Sequence, residues 1–205
     1  MQLFVDSNHL SPYAMSAFVA LCEKGIPFER VLIDLSGKAH LSEAYGRVST
    51  TLRVPSILDD GFSLSESSAI CEYLNDQFPD VPVYPDNVQQ RAKAREIQAW
   101  LRSDLMALRQ ERPTEVIFLR QHVQALSAAG IEAANKLISA AEKLIPDGQQ
   151  SLFGQWCIAD TDLALMLNRL VSAGDSVPPR LLHYVQVQWQ RPSVQEWANM
   201  PRPSC

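Results

Sequence analysis

The chain opens with short apolar runs alternating with amphipathic stretches, then turns wholly to helical periodicity. Leu3-Phe4-Val5 is a compact apolar run suited to a buried strand. Ser11-Pro12 reads as an N-cap followed by a proline at the first helical position. Ala14, Phe18, Leu21 and Cys22 then repeat at helical spacing until Gly25 and Pro27 stop the helix. Val31, Ile33 and Leu35 alternate as a second strand. Ser56-Ile57-Leu58 and Phe62-Ser63-Leu64 flank Asp59-Asp60-Gly61, a hairpin turn whose glycine tolerates positive φ. Ile70, Leu74 and Phe78 mark a helix beginning near Ser65. The expected order is β-α-β, an irregular segment over 36–52, then β-β-α.

Residues 79–88, PDVPVYPDNV, hold three prolines and no helical period, which predicts a linker. Beyond it Ile97, Leu101, Leu105 and Leu108 stripe one helix over 90–112, ended by Pro113. Further helices are expected over 131–145, 160–171, 181–189 and 194–200, with a frayed tail PRPSC. The pattern predicts a small α/β domain over 1–78 and an all-helical domain over 89–205.

Composition narrows the classes of function. Lys plus Arg is 18 against 23 Asp plus Glu, a net charge of −5 that disfavours a nucleic-acid partner. Hydrophobic residues at 46% and charged residues at 20% suit a packed globular chain. No run approaches the roughly 20 apolar residues that cross a bilayer, so no membrane partner is expected. The start MQLFVDSNHL has neither a basic n-region nor a continuous apolar h-region, so no secretory signal is expected and the cytoplasm is the expected compartment. The 4 cysteines form no C-x-x-C and no Cys/His cluster, which leaves zinc and dithiol chemistry without ligands.

Three places could carry chemistry, each with a plain structural alternative. Ser11 sits at a helix N-terminus, where a hydroxyl and a positive dipole end favour an anion; it also serves as an ordinary N-cap. Val54-Pro55 precedes a strand, and a cis bond there turns the Val54 backbone outward to pair with a peptide-like ligand; a trans proline simply starts the strand. Ser65-Glu66-Ser67-Ser68 opens a helix directly after a strand. Its hydroxyls and backbone donors suit a carboxylate and Glu66 suits an ammonium, while a capping cluster needs no ligand.

Taken together these residues resemble the glutathione transferase family over essentially the whole chain, most like its bacterial YfcF-type members and with a theta- and zeta-like serine site. The match rests on Ser11-Pro12-Tyr13, Lys24-Gly25-Ile26-Pro27, Arg53-Val54-Pro55 and Glu66-Ser67-Ser68-Ala69-Ile70. Cys157-Ile158-Ala159-Asp160 is similar to the start of a second-domain helix, with cysteine where a capping Ser or Thr is usual. The resemblance implies a thioredoxin-like domain followed by an all-helical domain that holds the electrophile pocket.

It further implies that Ser11 stabilises the glutathione thiolate and that Val54, preceding a cis Pro55, pairs with the cysteinyl backbone. Glu66 and Ser67 would hold the γ-glutamyl group, with His40 and Arg53 near the glycyl carboxylate. Tyr13 is a rival hydroxyl, and Asp104 is an acid that reaches across a dimer in some members. Glutathione is the implied co-substrate, with no metal, and a small hydrophobic electrophile or a hydroperoxide the second substrate of a homodimer. A non-catalytic interaction module and a zeta-type isomerase are the rival readings. Arg95, Arg102 and Arg109 recur every seven residues, on one face of the expected helix. Serine at position 11 cannot form a mixed disulfide, so the reactive sulfur is expected to belong to the ligand.

Overall fold

The computed structural model describes residues 1–202; residues 203–205, in the tail expected to fray, lie outside the described residues. Two compact units divide the chain, Met1–Val83 joined by the segment from Glu196 onward, and Tyr84–Gln195.

The first unit is a thioredoxin-like domain. Its strands are β1 (Gln2–Asp6), β2 (Glu29–Ile33), β3 (Ser56–Asp59) and β4 (Phe62–Ser65), in the sheet order β2-β1-β3-β4. β2 runs parallel to β1, while β3 is antiparallel to β1 and to β4. Leu3 and Val5 are completely buried, and α1 (Pro12–Glu23) is buried from Ala14 to Leu21, so the middle of this helix fills the core. Each such aliphatic side chain contributes about 1.5–3 kcal/mol of transfer free energy. Helix α1 ends where Gly25 takes φ +64, a conformation that costs glycine nothing.

The segment expected to be irregular folds in part. It carries a 3-10 turn, Ala39–Leu41, and the short α2, Glu43–Gly46, whose N-cap Ser42 accepts from Tyr45 N. Turns this brief leave no period to read, because they hold less than two repeats. Helix α3 spans Ser67–Gln77, starting two residues later than Ser65.

The second unit is all helical: α4 (Val88–Ser103), α5 (Met106–Glu111), α6 (Glu115–Phe118), α7 (Ala128–Leu144), α8 (Ile158–Ala173) and α9 (Pro179–Trp189), followed by α10 (Pro192–Ala198) at the boundary. Asn87 caps α4 through the Gln89 and Gln90 N–H groups. Helix α8 is buried nearly throughout and packs against α4 and α9.

The single helix expected over 90–112 is two. Asp104 ends α4 in extended backbone and Leu105 follows at φ +61, so the stripe of Leu101, Leu105 and Leu108 bends around a corner. The heptad of arginines is broken with it. Arg102 forms a largely buried pair with Asp162 at 3.1 Å, and Arg109 of α5 donates to the Arg102 carbonyl. Met106, the first residue of α5, is 53% exposed. Among the described residues no helix is long and apolar enough to cross a membrane.

Candidate functional site

Strand direction gathers the candidate residues at one end of the first unit's sheet. The carboxyl ends of β1, β2 and β4 lie there, with the start of β3, because Ser56 is registered with both Phe4 and Ser65. Ser11 follows β1, His40 follows β2, Val54 and Pro55 enter β3, and Glu66 and Ser67 leave β4.

Ser11 is the N-cap of α1, its Oγ accepting from Ala14 N at 3.1 Å. Capping and donation are compatible, since a hydroxyl has two lone pairs and one hydrogen. The Ser11 N–H is not spare, because it meets both oxygens of Asp6 at 3.2 and 3.3 Å, while Leu10 N donates to Asp6 Oδ2 at 2.6 Å. Pro12 carries no N–H, and Met15 N is taken by the Ser11 carbonyl. The helix end therefore keeps little backbone donor capacity of its own beside the Ser11 hydroxyl, which accepts from Ala14 N and retains its own hydrogen.

Asp6, 4% exposed, is the positioning group that sequence reasoning missed. Its only signal is an acid ending an apolar strand. The Asp6–Ser11 loop is also held by Arg202, whose Nε and Nη2 donate to the His9 carbonyl at 3.3 and 3.1 Å. Trp197 meets the His9 ring edge-on at 5.5 Å.

The Val54–Pro55 bond is cis. Val54 N–H and C=O take part in no protein hydrogen bond among the described residues. Glu66 stands at the N-cap of α3 with φ +73 and gives no side-chain cap, so the expected capping role is not filled. Its carboxylate is exposed, and Ser67 beneath it is 2% exposed. His40 is half-buried, and its Nδ1 is buried with no partner. The Arg53 side chain is exposed, and Tyr13 is half-buried in the first turn of α1.

Asp104 belongs to the second unit and is fully engaged within it. It accepts from Trp100 Nε1 at 2.9 Å and Leu105 N at 2.7 Å, and pairs with Lys136. The Lys136 ammonium, first, and these two donors hold its carboxyl down at about 2. A carboxyl depressed in the fold stabilises it above the unfolded value and loses that contribution as pH falls through the folded one. Asp104→Asn is accordingly expected to lower Tm modestly at neutral pH, where the ionised pair is exposed to solvent, and to flatten the acid limb of a plot of Tm against pH between about 4 and about 2, so that variant and wild type converge in acid. An unchanged acid limb overturns the assignment.

Among the described residues of this unit, the thiols offer no competing nucleophile. Burial and Glu196 push Cys22 up to about 12, and Cys71 is fully buried. No group of three His, Cys, Asp or Glu suited to a metal occurs among the described residues.

Comparison with known proteins follows the same division. Residues 10–77 match the family model for the glutathione S-transferase N-terminal domain, and residues 87–201 the model for the glutathione S-transferase C-terminal domain. Mouse glutathione S-transferase theta-1 is 36% identical over 107 residues, 51% of this chain and 43% of that protein. Arabidopsis thaliana glutathione S-transferase T1 is 32% identical over 107 residues, 51% of this chain and 44% of that protein. These matches span less than half the length of either relative. A glutathione transferase homologue from Burkholderia gl BGR1, crystallised with bound glutathione, is 47% identical at a TM-score of 0.80, covering 96% of this chain and 95% of its own. A bacterial zeta-class maleyl pyruvate isomerase shares the fold at 20% identity and a TM-score of 0.78, with 100% of both chains covered.

Proposed function

This chain belongs to the glutathione S-transferase family, and from that premise we propose that its first unit binds reduced glutathione and activates its sulfur for attack on electrophiles. The observation that carries the reading is the unpaired Val54 backbone beside the cis Pro55, at the same sheet end as the start of α3. Val54 leaves both its polar groups unpaired, and α3 begins without a side-chain cap. An extended tripeptide suits both places: its cysteinyl backbone pairs with Val54 as an added strand, and its γ-glutamyl carboxylate lies at the start of α3. Glu66 then faces the γ-glutamyl ammonium beside Ser67, while His40 and Arg53 meet the glycyl carboxylate.

In this pose the Ser11 hydroxyl donates its hydrogen to the sulfur. The thiol proton leaves to solvent, the thiolate attacks carbon, and a carbon–sulfur bond replaces the bond to the leaving group. Tyr13 and Asp104 are assigned no part in the sulfur chemistry. The same thiolate attacks a peroxide oxygen, breaking the O–O bond and releasing the alcohol, and a second glutathione converts the resulting sulfenic acid to the disulfide and water, so hydroperoxide reduction is the natural side activity. A homodimer acting in the cytoplasm on small hydrophobic electrophiles completes the reading.

The test is retention on immobilised glutathione together with conjugation of a generic aryl halide. Retention, elution by free glutathione and turnover are expected. A chain that neither binds nor turns over is an interaction module on this fold, and the proposal fails.

A further inference from the structure

Beneath residues 53–55 lies a cluster of four hydroxyls that the reading above leaves unused. Tyr45, on α2, is 4% exposed, and Ser49 and Ser56 are completely buried. The Tyr45 hydroxyl donates to the Arg53 carbonyl at 2.8 Å, with Ser56 Oγ 3.3 Å away. Ser49 and Ser56 reach the same carbonyl at 3.2 Å each. Ser65 Oγ lies 2.9 Å from Ser49 Oγ and 3.0 Å from Ser56 Oγ, which carries the chain of hydroxyls to the residue before Glu66.

The Arg53 carbonyl and the Val54 N–H belong to one planar peptide group and point in opposite directions. Donors that grip the carbonyl from below therefore fix the direction of the N–H above. They also polarise the peptide, which strengthens that N–H as a donor. The Tyr45 ring adds a second hold, because Val54 packs against the cluster of Phe4, Ile33 and Tyr45.

We propose that Tyr45 is a positioning residue for glutathione: through the Arg53 carbonyl it aims the Val54 N–H at the cysteinyl backbone. It sets affinity for the tripeptide and leaves the ionisation of the sulfur to Ser11. The inference rests on the glutathione reading of this site.

Tyr45→Phe keeps the ring and removes one hydroxyl. Calorimetric titration with reduced glutathione is expected to show a Kd raised about three- to tenfold, the equivalent of one lost hydrogen bond. At saturating glutathione kcat stays at the wild-type value, and so does the pH midpoint of the bound thiol, read from thiolate absorbance. Ser49→Ala, which removes another donor from the same carbonyl, moves Kd the same way and serves if the first variant does not fold. An unchanged Kd in folded variants overturns the positioning role alone, as does a shift of the thiol midpoint. A wild-type chain that binds no glutathione overturns the site reading and this inference with it.

Discussion

Ser11→Ala is expected to lower turnover at neutral pH about 10- to 100-fold while glutathione binding survives. A free cysteine-type thiol titrates near about 8.5 and is only about 3% thiolate at pH 7. Making it mostly thiolate needs a shift of about two units, or roughly 2.7 kcal/mol. One hydrogen bond to a charged acceptor contributes about 1.5–3 kcal/mol, and a helix N-terminus about 0.3–1. The α1 terminus spends its backbone donors internally, with Asp6 on Ser11 N and the cap on Ala14 N, so the hydroxyl carries most of that shift. Without it the thiol returns toward its free value, and the rate–pH profile moves upward by one to two units. The variant also loses an N-cap, at about 1 kcal/mol of stability. Ser11→Thr keeps both cap and donor and is expected to recover stability and turnover together, while the rate–pH profile, which a lost cap does not move, reports the donor alone. Turnover that survives in Ser11→Ala with an unmoved pH profile transfers the thiolate role to another group, Tyr13 first.

Much of this architecture is legible in the sequence because the elements that matter are long or punctuated. Twelve residues of α1, marked by Ser11-Pro12 and stopped at Gly25, give an unambiguous period. The hairpin over Asp59-Asp60-Gly61 is equally marked, with Asp60 and Gly61 both at positive φ. What escapes is short or depends on contacts far along the chain. The corner at Asp104-Leu105 carries no proline or glycine, and its cause is tertiary: Asp104 is held by Lys136, a residue of another helix.

The site divides in the same way. Residues that would touch a ligand stand out by type and position, as Ser11, Val54-Pro55 and Glu66-Ser67 do. Those that aim them, Asp6 and Tyr45, are single polar groups inside apolar surroundings. They become visible only when the register of β1, β3 and β4 brings their partners within bonding distance.

The largest loss of stability is expected at Asp160. Cysteine stands at the N-cap of α8, a weak acceptor where a hydroxyl is the common choice, and by itself that predicts a frayed start. The start is instead fully buried and tied. Asp160 Oδ2 accepts from Cys157 N at 2.9 Å, and Oδ1 accepts from Leu152 N and the Tyr184 hydroxyl at 2.8 Å each. One carboxylate thus satisfies three buried donors, from the cap, the preceding loop and α9. Asp160→Ala leaves all three without a partner and is expected to cost about 3–5 kcal/mol. Against a typical total of about 5–15 kcal/mol this is a large fraction of the stability of the fold. Asp160→Asn keeps one acceptor oxygen but turns an amide donor toward either Cys157 N or Leu152 N, so an intermediate loss is expected. Cys157→Ala removes only the sulfur and should cost far less than Asp160→Ala. Urea midpoints of the three variants rank them. If Cys157→Ala and Asp160→Ala lose equal stability, the start of α8 is held by the packing of residue 157 and not by the carboxylate.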